Sequence, residues 1–313
     1  MKTPDDPTPL PITARHSSPA ETRRGLVVMT LSLLAFTANT LLLKYIGSNR
    51  QIDPTVTLLF RAVIGGVIVL TLMRGRRPAK FAPIFREPLL IWRGILGVIG
   101  TASYYYCIPA LGAGKASLLG TTYVLFGAVF AAWFLREYLS RTKVIWLLIA
   151  FGGTALLTGA GNGHADPVGG INPGSKTFYE AFAIIGAIAA AGTIVIIRHL
   201  TTKHAIATIF LAQCIWIGLA ATPFAARHLV SLNAMDCLFL VLAATCAGYG
   251  QLAMNEGYRL LSVAAGSSVQ MTLPVIAALG GILLFGEMYT ALQVIGAVLI
   301  LVGTWQVAVR RKT

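Results

Sequence analysis

A chain of 313 residues with 56% hydrophobic and only 12% charged side chains, at a mean hydropathy of +0.74, carries about half the charge of a soluble domain. That balance excludes a water-soluble globular fold and fits a chain whose solvent is the bilayer. The net charge of +14 does not point to nucleic acid, because the lysines and arginines sit between apolar segments instead of along one basic face.

Residues 1–24 are polar and proline-rich and read as a disordered tail. The apolar run that follows is too long for a signal-peptide core and has no small-residue cleavage site behind it, so it is expected to stay as an anchor. A bilayer core of about 30 Å needs about 20 helical residues, and only helices and closed barrels satisfy every backbone polar group there. Barrel strands would alternate apolar and polar residues. These segments are apolar all round, so the fold class is an all-α polytopic membrane protein.

Taken in chain order, the first five spans fall at 25–46, 54–73, 88–109, 114–135 and 141–160. A polar linker, 161–177, follows. Its Asn162-Gly163, Asp166-Pro167 and Asn172-Pro173-Gly174 are turn formers. The second five spans fall at 178–199, 204–224, 234–257, 260–284 and 289–309, and a short tail, 310–313, closes the chain. With both termini cytoplasmic, 18 lysines and arginines lie on the cytoplasmic side and 5 on the other, a strong positive-inside bias. That places the linker outside and both tails inside, in a cell inner membrane. It also accounts for the high pI.

The two halves align at an offset of 150 residues. Pairs such as Gly100/Gly250, Ser117/Ser267, Thr122/Thr272, Glu137/Glu287, Gly153/Gly303 and Thr154/Thr304 keep register without a gap. Five spans per half is an odd number, so the two copies cross the membrane in opposite directions. Such an inverted repeat suits alternating access around a site near the midplane.

Several stretches carry a resemblance. These are Trp92-Arg93-Gly94 with Gly97, Gly100 and Tyr104-Tyr105-Tyr106, and Ala116-Ser117 through Tyr123 to Leu135-Arg136-Glu137. Gly266-Ser267-Ser268 through Leu273-Pro274-Val275 to Leu284-Phe285-Gly286-Glu287 is a third, and Gly152-Gly153 and Gly303 add small residues. Together they resemble the EamA-type transporters of the drug/metabolite transporter superfamily. The resemblance implies two EamA-like repeats, at 25–160 and 178–309, and transport of a small metabolite. Proline is frequent in the fourth helix of both repeats of that family. Here the second half has Pro274 and the first has Val124, which removes the basis for expecting both helices to hinge alike.

Candidate site residues follow from polar or aromatic chemistry inside the spans. Arg61, a third of the way into the second span, either faces a cavity and binds a carboxylate or phosphate, or snorkels or pairs structurally. Arg93 either pairs with Glu137 near the cytoplasmic face or sits at headgroup level. Only one face of the third span can point inward. Tyr105 is therefore assigned to the cavity and its neighbours Tyr104 and Tyr106 to an outer aromatic belt. Tyr123, Tyr249 and Trp216 are further cavity candidates. Asn39, Gln213, Gln251, Asn255 and Gln270 must each face protein or water, as cavity lining or as interhelical glue. Pro274 frees a backbone carbonyl, and Gly280-Gly281 follows it, which marks the ninth span for a bend or a backbone ligand.

No carboxylate lies at the centre of a span; Glu256 comes nearest. Two in-span arginines without deep carboxylates favour a carboxylate-bearing or zwitterionic solute, such as an amino acid. The alternative is export of organic cations or drugs. An intramembrane enzyme would need a clustered His, Asp or Glu set, and the five histidines fall in tails, loops and span ends. No Walker motif is present. Cys107, Cys214, Cys237 and Cys246 form no CxxC pair and read as inert buried thiols, so no metal or cofactor is expected. The expected partners are a small-molecule substrate and the lipid bilayer, with no nucleic acid. Room is left for a homodimer.

Overall fold

The computed structural model describes residues 19–72, 81–134, 141–159, 175–261 and 269–309. Among them the chain is helical, with no strand. The helices are α1 (Pro19–Ser48), α2 (Pro54–Leu72), α3 (Ala82–Arg86), α4 (Pro88–Leu111), α5 (Ala113–Thr121), α6 (Tyr123–Phe134) and α7 (Arg141–Gly159). They continue as α8 (Lys176–Lys203), α9 (Ile206–Ala225), α10 (Ala234–Leu260), α11 (Leu273–Phe285) and α12 (Ala291–Val309). Five of them contain apolar stretches long enough to cross a bilayer: Ala20–Ser48, Pro54–Thr71, Pro88–Leu111, Ile206–Ala225 and Ala234–Met254. Shorter apolar stretches occupy Val144–Leu157, Leu273–Phe285 and Ala291–Gln306.

Local chemistry sets the helix starts. Pro54 and Pro88 occupy first-turn positions, where the missing N–H is unneeded. Ser175 caps α8 by accepting from the Phe178 N–H. Asn233 and Asp236 form a reciprocal capping box on α10.

Several boundaries differ from the sequence expectation. α1 begins at Pro19, so residues 19–24 are helical rather than tail, and Arg24 reaches within 3.8 Å of Glu256. α8 extends past both expected ends of the sixth span, to Lys203. α3 was not expected at all; its five residues, little more than one turn, pack on α4 and α9. The fourth span is two helices, α5 and α6, separated at Thr122. The remainder of the 1–24 tail, most of the linker and Glu137 lie outside the described residues.

The packing closes into a ring. α1 packs on α10, α10 on α2, α2 on α9, α9 on α4, α4 on α8 and α8 on α6. The circuit returns through α5, which packs on α11, and α11 on α1. α7 and α12 pack on each other outside this ring, with α12 touching α5 and α6. Exchanging the two halves maps these interfaces onto one another. α1 on α10 becomes α8 on α4, α2 on α10 becomes α9 on α4, and α1 on α11 becomes α8 on α6. The α2–α9 and α7–α12 interfaces map onto themselves.

Small residues allow the close approaches, as expected where lipid supplies no hydrophobic drive between helices. A Cβ at Gly186 of α8 would lie 1.6 Å from Ser103 Oγ of α4. A Cβ at Gly153 of α7 would lie 2.7 Å from the Gly296 carbonyl of α12, and the reverse distance is the same.

Candidate functional site

Arg93 is buried on the face of α4 that meets α9. The sequence makes room for it: Gly97 stands one turn on, and a Cβ there would come within 2.6 Å of Arg93 Nη1. Arg93 Nη2 donates to Gln213 Oε1 at 2.7 Å, and Gln213 Nε2 donates in turn to Thr101 Oγ1 at 3.2 Å. Arg93 Nε and Nη1 are buried with no acceptor. Beside them, Trp216 lies over Gly94, where a Cβ would fall 2.0 Å from its Cδ1, and its indole Nε1 also has no acceptor. Gly94 and Gly97 share one face of α4. Three donor atoms without acceptors therefore stand on a single helix face, at the α4–α9 interface.

Arg61 of α2 lies within electrostatic range of Arg93, as does Cys214 of α9. Its Nη1 donates to Tyr105 Oη at 3.1 Å, with the guanidinium 5.5 Å from the ring centroid, a cation–π arrangement. Among the described residues, neither arginine forms an ion pair with a carboxylate. Two positive charges in a low-dielectric setting, with donors unmatched, describe a site complementary to an anion.

The tyrosine triplet points three ways, because successive helical residues are about 100° apart. Tyr105 meets Arg61. Tyr104 does not join a lipid-facing belt. Its hydroxyl lies 2.7 Å from Thr40 Oγ1 and 3.1 Å from Ser117 Oγ, which ties α4 to α1 and α5. Tyr106 packs edge-on to Phe182. It also lines a cavity of about 640 Å³ with Arg50, Asp53, Tyr179, His228 and Asp236. Pro54 borders the same cavity, and Arg61 lies two turns further along α2, about 10 Å away along the axis. Neither Arg61 nor Arg93 lines this cavity.

The other candidates are dispersed. Asn39 is buried on α1 with its Oδ1 unpartnered. Gln270 donates to Ser32 Oγ at 3.0 Å, and Ser32 to the Gly250 carbonyl at 2.7 Å, so this residue ties α1 and α10 together. Gln251 is half-buried on α10, Tyr123 half-buried at the start of α6, and Pro274 buried in the first turn of α11. Tyr249 is 46% exposed and shares a face of α10 with the exposed Leu238, Val241 and Leu242. The Asn255 side chain lies outside the described residues.

Sequence reasoning missed Lys115 and Glu180, a buried ion pair at 2.5 Å between α5 and α8. In the sequence Glu287 stood out only as the repeat mate of Glu137. Its carboxylate accepts from the Ala113 and Gly114 N–H groups and the Tyr289 hydroxyl. No local signal marks either feature, since the partners are 65 and about 170 residues apart.

Residues 23–159 and 177–309 each match the model of the EamA-like transporter family. The pseudopaline exporter CntI of Pseudomonas aeruginosa is 28% identical over 187 residues, 58% of this chain and 59% of that protein. Solute carrier family 35 member G1 of Mus musculus is 24% identical over 178 residues, 56% of this chain and 48% of that protein. The matches thus span about half the length of these curated relatives. A crystal structure at 20% identity superposes with a TM-score of 0.60 over 92% of this chain and 95% of that one, which shows a shared fold.

Proposed function

The chain belongs to the EamA-like transporter family, and from that premise we propose that it carries a small carboxylate-bearing or zwitterionic solute, such as an amino acid, across the cytoplasmic membrane by alternating access. It is a multi-pass membrane transporter, as its relatives are, and not an enzyme. In the proposed topology ten spans form two inverted five-span repeats, at 25–160 and 178–309, with both termini cytoplasmic and the 161–177 linker outside. The reciprocal packing of the halves and the positive-inside bias support that arrangement.

The observation that carries the substrate class is the arginine pair. Arg93 Nε, Arg93 Nη1 and Trp216 Nε1 are buried donors without acceptors. Each orphaned group costs about 1–3 kcal/mol. A bound carboxylate would supply charged acceptors for these donors. Arg61 adds a second charge, and Tyr105 holds it in place. An organic cation entering the same site would meet two like charges. The name of the relative from Pseudomonas aeruginosa makes export the direction to test first.

The test is solute counterflow in proteoliposomes, with radiolabelled amino acids on one arm and organic cations on the other. Wild-type protein is expected to exchange at least one amino acid and no cation. Arg93→Gln is expected to lose about tenfold or more in kcat/KM, the loss of one charged hydrogen-bonding group. Vesicles that exchange only organic cations would overturn the reading.

A further inference from the structure

α5 is a nine-residue helix with a break at each end. Gly112 precedes it at φ 94°, a conformation open to glycine and strained for other residues, and Thr122 separates it from α6. Every residue from Ala113 to Leu119 is buried. A short helix buried over most of its length between two breaks is a rigid unit with little of its own to hold it in place.

Other elements hold it. In its first turn, Lys115 forms the buried ion pair with Glu180 of α8. Its N-terminal N–H groups are bound by the Glu287 carboxylate, which follows α11 and is turned back by Gly286 at φ 64°. Ser117, on the next turn, meets the Tyr104 hydroxyl, which also reaches Thr40 of α1. Lys44 of α1 donates to the Pro109 carbonyl at 3.0 Å, just ahead of the Gly112 break. Both carboxylates come from the second half of the chain and both hold a helix of the first. These tethers gather at the end of the ring where α8 begins, which is the outer end in the proposed topology.

We infer that α5 is the outer gate of the transport path. The Lys115–Glu180 pair and the Glu287 cap hold it shut, and its release about Gly112 and Thr122 opens that end. The inference rests on the ring being the transport path; it does not rest on the substrate class. A buried pair suits this role because it is strong only while desolvated and geometrically intact. Water admitted on opening solvates both partners and lowers the cost of their separation.

The protein carries its own reporter. Cys107 is buried in the same apolar cluster as Ala116, Leu118 and Leu119 of α5, so displacing α5 uncovers it. The experiment uses the full chain in lipid nanodiscs with Cys214, Cys237 and Cys246 replaced by Ser, and measures the rate at which a polar maleimide labels Cys107. In that background Glu180→Gln and Lys115→Met are expected to label at least about tenfold faster. Glu287→Gln, which keeps the side-chain volume, is expected to move in the same direction. The exchange Lys115→Glu with Glu180→Lys is expected to restore protection. Unchanged labelling in Glu180→Gln and Lys115→Met overturns the gate, and so does rapid labelling that the exchange does not reverse. Labelling needs no substrate, so this outcome is separate from any failure of the carboxylate reading.

Discussion

Arg93 keeps one hydrogen bond inside the protein, to Gln213, and that bond decides how the guanidinium is aimed. Replacing Gln213 by Leu leaves the buried charge with no acceptor. Loss of a hydrogen bond to a charged group is worth about 1.5–3 kcal/mol, so Gln213→Leu is expected to lower the melting temperature of the ligand-free protein, measured by thermal denaturation in detergent. An unchanged melting temperature would mean that the guanidinium finds another acceptor, and the site would lose its rationale. Gly94→Ala probes the other side of the same face. Its Cβ would fall 2.0 Å from Trp216 Cδ1, so the indole must move, at about 1–3 kcal/mol. The expected readout is a raised KM with little change in kcat. The arginines were legible in the sequence because a charge within an apolar span is conspicuous by itself. Gln213 was legible only as one polar residue among several, since its pairing with Arg93 spans 120 residues. Lys115 and Glu180 were missed for a related reason. Each sits near a span end, where a charge is unremarkable until packing buries it.

The two broken helices show what a helix break requires. Proline in the second half and valine in the first gave no basis for expecting the two fourth spans to hinge alike. Both break, and at equivalent residues. Thr122 directs its N–H and its hydroxyl to the Leu119 carbonyl, at 3.2 and 2.6 Å. Thr272 does the same to the Val269 carbonyl, at 3.1 and 2.7 Å. In each half the next helix restarts from the threonine carbonyl, through Phe126 and Ile276. A threonine hydroxyl that competes for a carbonyl of the preceding turn bends a helix without a proline. Threonine inside an apolar helix is common, which is why the signal went unread beside Pro274. Thr122→Val keeps the shape and removes the hydroxyl. It is expected to reduce kcat while leaving the melting temperature nearly unchanged, in a counterflow assay paired with thermal denaturation. An undiminished kcat would separate the break from the transport cycle.

At the scale of the whole molecule, the reciprocity of the ring raises a question of sidedness that its clamps can answer. Arg50, between α1 and α2, pairs with Asp236 at the start of α10 at 2.6 Å. His204, between α8 and α9, pairs with Glu87 at the start of α4. Each clamp joins the turn after the first span of one half to the entry of the third span of the other. They therefore occupy corresponding places in the two repeats. If the repeats are inverted, corresponding places face opposite sides of the membrane; if they are parallel, both clamps face the same side. Asn49 and Lys203 are exposed beside the two clamps, and a cysteine at either can be reached by a membrane-impermeant reagent. In a cysteine-free background, Asn49→Cys is expected to label in intact cells and Lys203→Cys only in inside-out vesicles. Labelling of both from one side would place the halves in parallel. The exchange of conformations between repeats, on which alternating access depends, would then have no structural basis in this chain.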